Sequence, residues 1–151
     1  MTASIQYRLA IYLMDSYKQK VLLTKATDGP FAGKLVPLSF PLPPQAFPQQ
    51  FLNQYFRETF NVGIEFVFHP TSIPAVLDSN TVQTMAPFFT QVCRPQQGAP
   101  FVEMIYLAFA TAPFKLGDPA FTWCRAEDLV GRIAPKHVKR TVKQILQIQK
   151  K

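Results

Sequence analysis

Residues 35–48 read LVPLSFPLPPQAFP, and their five prolines restrict this chain more than any other stretch. Proline locks φ and has no N–H to give, so the segment is neither a long helix nor a strand in the middle of a sheet. It must be an edge or a connection, with the longer regular elements to either side. Before it, IQYRLAIYLMD (5–15) and KVLLTK (20–25) flank the polar SYKQ and predict a hairpin, followed by the Gly/Pro loop ATDGPFAGK. After it, Phe51, Leu52, Tyr55, Phe56 and Thr59 or Phe60 recur at three- and four-residue spacing. That period predicts a helix over 47–61, with Pro48 in its first turn and Gly63 as the left-handed residue that ends it.

Further along, IEFVFHP (64–70), SIPAVLDS (72–79), QTMAPFFTQVCR (83–94) and PFVEMIYLAFATA (100–112) predict strands, with a turn at 95–100 between the last two. AFTWCRAEDLVGRI combines a strand-like start with a short helix. PKHVKRTVKQILQIQK (135–150) predicts a basic amphipathic helix with Val138, Val142, Ile145, Leu146 and Ile148 as its apolar stripe. No internal repeat or linker divides residues 1–151, so the expectation is a single α/β (α+β) domain, a mixed sheet with helices packed against it.

A composition that is 48% hydrophobic and 17% charged excludes a disordered chain. The formal charge of +7 favours anionic partners such as phosphates or nucleic acid, with a solvated basic surface as the plainer alternative. Cys93 and Cys124 form no CxxC, which argues against a thiolate metal site and a disulfide framework. The opening MTASIQYRLAIYLMDSYK lacks a basic stretch followed by a pure apolar run, and no apolar stretch reaches membrane-spanning length. These features predict a soluble, cytoplasmic protein with no membrane partner. Phosphate-binding glycine loops and a G-x-S-x-G nucleophile motif are absent from the sequence.

One stretch carries more information than its length suggests. FRETFNVGI (56–64) holds an Arg57-Glu58 pair late in the predicted helix, and FPLP (40–43) stands upstream of it. This arrangement resembles the Nudix hydrolase motif, G-x5-E-x7-R-E-U-x-E-E-x-G-U with U a bulky aliphatic residue, often preceded by an aromatic-x-aromatic-Pro-Gly stretch. With Arg57-Glu58 as its R-E, the motif Glu falls on Gln49 and the motif Gly on Pro43, so the degenerate box spans residues 43–64. A strand pair before the box, strands after it, Trp123 ahead of RAEDL and a closing helix are also similar to that family. The resemblance implies a Nudix-like α/β/α sandwich with a central mixed sheet. For members with an intact motif it also implies metal-dependent hydrolysis of diphosphate bonds.

Here the motif is eroded. In the family, glutamates on one helix face gather a divalent cation, which needs several oxygen ligands. Glu58 survives, but Gln49, Asn61 and Val62 occupy the other carboxylate places, and one residue is missing before Gly63-Ile64. Three lost negative charges remove most of the attraction for Mg²⁺. Leu42 and Pro43 also deny the loop the freedom that glycine supplies.

The expectation is therefore a Nudix-like protein that has lost hydrolase activity and acts as a nucleotide- or anion-binding module or a protein-interaction module, including as a homodimer. No cofactor is expected. The alternatives are a hydrolase of nucleoside diphosphate-linked compounds with a rearranged Mg²⁺ or Mn²⁺ site, and a nucleic-acid-associated module using the basic terminal helix. By analogy, Arg8, Lys34 and Arg57 are the candidate anion contacts and Phe40 a stacking ring. Glu58 is the residual catalytic and metal candidate. Glu103 is a second metal candidate, on the same strand face as Phe101 and Ile105, with exposure at a sheet edge as its default. His69 and His137 read as surface or turn residues.

Overall fold

The computed structural model describes residues 6–42, 47–67, 87–95 and 98–148. The first two strands are the predicted hairpin, β1 (Gln6–Met14) and β2 (Val21–Lys25), paired antiparallel through Leu13↔Leu22. Its turn is closed by the Asp15 carboxylate, whose Oδ1 accepts the backbone N–H groups of Gln19 at 2.7 Å and Lys20 at 2.9 Å. The proline segment supplies only short strands, β3 (Leu35–Val36) on β2 and β4 (Leu38–Pro41) on β1, each paired on one side. That is the edge role its prolines allow.

Helix α1 runs Pro48–Phe60, with Pro48 in its first turn. Its left-handed residue is Asn61 (φ 53°), not Gly63 as expected. Asparagine tolerates this conformation; its N–H closes on the Arg57 carbonyl and the N–H of Val62 on that of Phe56. Gly63 is small for another reason: a Cβ there would lie 3.1 Å from Thr111 Oγ1, which with its own backbone N–H bonds the Gly63 carbonyl.

Beyond α1 come β5 (Ile64–Phe66), β6 (Phe89–Cys93), β7 (Phe101–Ala110), β8 (Phe121–Cys124), a 3₁₀ turn at Glu127–Leu129, and α2 (Lys136–Ile148). The strand predicted at 72–79 and the first part of the one predicted at 83–94 lie outside the described residues.

The eight strands of the described residues form one mixed sheet. At its centre β1 and β7 run parallel along their length, from Gln6↔Phe101 to Met14↔Phe109. The far side of β7 carries β5 and β6, both antiparallel, and β8 extends the sheet beyond β2.

Alternation along β1 then builds two cores. Leu9, Ile11 and Leu13 pack with Leu52 and Phe56 of α1 on one face. Ala10, Tyr12 and Met14 pack with Val138, Val142, Ile145 and Leu146 of α2 on the other. Each buried Leu, Ile, Val, Phe or Met among them contributes about 1.5–3 kcal/mol relative to exposure. Ile148, expected on that stripe, is 56% exposed because the helix turns it away from the sheet. The result is an α/β/α sandwich. Among the described residues no helix is long and apolar enough to cross a membrane.

Candidate functional site

Glu103 is the point from which the site is built. Contrary to the expectation of an exposed edge, it is 8% exposed and the one charged residue within the described core. The reason is that β6 covers the edge of β7, pairing Gln91 with Glu103. Both carboxylate oxygens accept hydrogen bonds: Oε2 from the Ser39 hydroxyl at 2.8 Å, and Oε1 from the Gln91 amide nitrogen at 2.8 Å. Ser39 in turn accepts from Arg8 Nε at 3.0 Å, and Arg8 is the register partner of Glu103 across the parallel strands. Four neighbouring strands, β4, β1, β7 and β6, thus present a polar row on the α2 face of the sheet. Buried charges persist only where partners satisfy them in this way.

Arg8, Ser39 and Glu103 of this row floor a cleft of about 760 Å³, walled in part by Phe31, Val36, Pro37 and Phe101. His137, in the first turn of α2, completes one side and packs its ring 5.4 Å from that of Phe31. It is half-buried rather than a surface residue as expected, and that burial lowers its pKa, partly offset by attraction to Glu103. Cys93, which takes a long contact of 3.8 Å from the Gln91 amide, has its thiol pushed up to about 11 by burial and then by Glu103. Tyr12 lies deeper on this face, where burial drives its phenol far above the ordinary range although Thr141 hydrogen-bonds it.

The four candidate ligand contacts do not come together. Arg8 lines the cleft, while Lys34 is exposed on the preceding loop. Phe40 points to the opposite face, with ring centroids 5.2 Å from Phe51 and 4.7 Å from Tyr55, inside the α1 packing. Arg57 is exposed in the last turn of α1, where a cation complements the helix dipole. His69 lies outside the described residues.

The sequence reading missed Ser39, Gln91 and His137. Ser39 between Leu38 and Phe40, and Gln91 between Thr90 and Val92, carry only a strand's period-2 alternation as a signal.

A divalent metal of the kind the resemblance implies does not fit the residues of α1. Glu58 is exposed and accepts from the Gln54 amide at 2.9 Å. Val62, at a carboxylate place of the motif, is 5% exposed and belongs to the α1 core, and Asn61 serves as the helix cap. Glu103 cannot make up the loss, because the sheet lies between its carboxylate and α1. Among the described residues no three His, Cys, Asp or Glu side chains gather as a metal-holding group. The helix has its place in the fold but does not carry the donor set that the resemblance implies.

Comparison with known proteins agrees with this architecture. Neither a protein-family model nor a curated protein matches the sequence. Solved structures do match. A NUDIX-family hydrolase from Clostridium perfringens superposes with a TM-score of 0.70 at 15% identity, covering 97% of this chain and 99% of that one. The Ap4A hydrolase of C. elegans gives 0.63 at 15% identity over 98% and 100%. The NUDIX domain of Shewanella oneidensis NrtR, in a complex with ADP ribose, gives 0.62 at 13% over 98% and 90%. The chain has the Nudix fold.

Proposed function

We propose that this Nudix-fold protein is a binding module without diphosphate hydrolase activity, and that it holds a small polar, nucleotide-like molecule in the cleft on the α2 face. The observation that carries this reading is a separation. The box helix retains one exposed carboxylate, Glu58, while the convergent polar groups, Arg8, Ser39, Gln91 and Glu103, lie across the sheet from it. A concave, partly apolar site with a few fixed polar groups is the usual form of a small-molecule site. Fold alone does not decide chemistry, and this fold accommodates ligand binding in the NrtR domain crystallised with ADP ribose.

With one carboxylate and no convergent partner on α1, nothing offsets the cost of stripping Mg²⁺ of its water, so attack on a diphosphate has no assembled electrophile. The test is a panel of nucleoside diphosphate-linked compounds with Mg²⁺ or Mn²⁺, assayed at high protein concentration beside Glu58→Gln. The expected result is no turnover above the buffer rate in either protein. Metal-dependent turnover that Glu58→Gln abolishes would overturn the reading.

A further inference from the structure

We infer that the cleft selects an uncharged planar heterocycle with N–H donors and a carbonyl acceptor, such as a free base or nucleoside, and disfavours the same group carrying a diphosphate. This rests on the reading of the α2-face cleft as the binding site.

Charge decides between the two classes. The whole chain carries +7, but the charged side chains lining the cleft are Arg8 and Lys25 against Asp28 and Glu103, two cations facing two carboxylates. The surplus cations lie elsewhere. On α2, Lys136, Lys139, Arg140 and Lys143 are not among the lining residues, although His137 of the same helix is. His137 adds no offsetting charge at neutral pH, since burial lowers its pKa. A diphosphate entering the cleft therefore meets no net positive field. It also approaches the nearly buried Glu103 carboxylate, fixed by two hydrogen bonds, and like charges brought close in so poorly solvated a setting cost about tenfold or more in affinity.

The geometry defines the other half of the specificity. Glu103 Oε1 and Oε2 each accept one hydrogen bond, from Gln91 and Ser39, and a carboxylate oxygen has room for a second. Arg8 is tethered through Nε to Ser39, and among the described residues its Nη groups have no partner. An acceptor and a pair of donors thus stand side by side on adjacent strands, held by their own hydrogen bonds before any ligand arrives. Preorganisation of this kind lowers the entropic cost of binding. Phe31 and Phe101 supply flat apolar surface in the walls, suited to a planar ring. A lactam edge, with N–H toward Glu103 and C=O toward Arg8, satisfies both groups without any charge.

The experiment is calorimetric titration of adenosine, guanosine, cytidine and uridine and of their 5′-diphosphates, in EDTA and then in Mg²⁺. The expected result is that one nucleoside binds and its diphosphate binds at least about tenfold more weakly in EDTA. Glu103→Gln should weaken the nucleoside and remove the discrimination. Because that variant disturbs a buried network, a rim variant stands beside it. Asp28 is exposed, and Asp28→Lys turns the balanced lining positive; it should improve diphosphate binding several-fold, and a variant that binds the diphosphate no better than the parent would overturn the charge argument. A diphosphate that binds more tightly than its nucleoside in EDTA would overturn the inference, as would the absence of binding by all four nucleosides. Hydrolysis in the separate panel would instead overturn the binding-module reading, so the two failures are distinguishable.

Discussion

Glu103 joins stability to the proposed binding role at the level of single residues. Its carboxylate is the common acceptor for Ser39 and Gln91, and through Ser39 it steadies Arg8. Replacing it with alanine leaves the hydroxyl and the amide without their acceptor at the floor of the cleft. A loss of about 1–3 kcal/mol follows from stranding such groups, and Glu103→Gln, which keeps one acceptor, should lose less. Urea denaturation with an unchanged m-value is the check, and an alanine variant as stable as the parent would show that the row is not structural. Strand alternation placed Glu103 correctly beside Phe101 and Ile105, but its burial was not legible. Ser39 is 64 positions away in sequence and Gln91 lies on another strand, so nothing local to FVEMIYL announces either partner.

Among the elements, α1 is placed by packing and not by the residues of a metal site. Its position follows from a packing period that was plain in the sequence: Leu52 and Phe56 are fully buried against β1, and Val62 seals the end. An apolar residue at Val62, a carboxylate place of the motif the sequence resembles, adds to that core, so the helix is held without any metal ligand there. Phe56→Ala should cost about 3–5 kcal/mol, whereas Glu58→Gln should stay within about 0.5 kcal/mol of the parent. Guanidinium unfolding of the two variants side by side tests this, and a large loss in Glu58→Gln would mean that its exposed bond to Gln54 matters more than the packing. Helix α2 departs from the usual charge pattern, with no acid in its first turn and no base in its last. Its cations oppose the helix dipole, and the buried stripe holds the helix in place regardless.

For the whole molecule, the packing of α2 onto the sheet makes stability depend on pH through His137. Burial depresses its pKa below the ordinary histidine value of 6.5, so the unfolded chain binds the proton more readily than the folded one. The contribution is fully present above pH 6.5 and is lost as pH falls through the lower folded value. His137→Gln should therefore flatten the fall in melting temperature between about pH 6.5 and 5, where most carboxylates remain ionised. A parent and variant with parallel profiles would contradict the assignment. Cys93 acts in the opposite sense: its thiol, pushed up to about 11 from 9.0, favours the folded state below pH 9.0 and ceases to do so as pH rises through 11.

By itself the sequence determined the order of the elements and most of their positions. The hairpin, the proline-rich edge, the box helix and the apolar stripe of the terminal helix all follow from backbone chemistry and from periods of two and 3.6 residues. These signals are local, and a span of ten residues is enough to carry each. The tertiary structure alone decided where the candidate site is. Parallel pairing of β1 with β7 sets Arg8 beside Glu103, β4 and β6 bring Ser39 and Gln91 to the same carboxylate, and α2 lays His137 over them. Register between distant strands is a property of how the two cores close around the sheet, and a shift by one residue would turn the whole row to the opposite face.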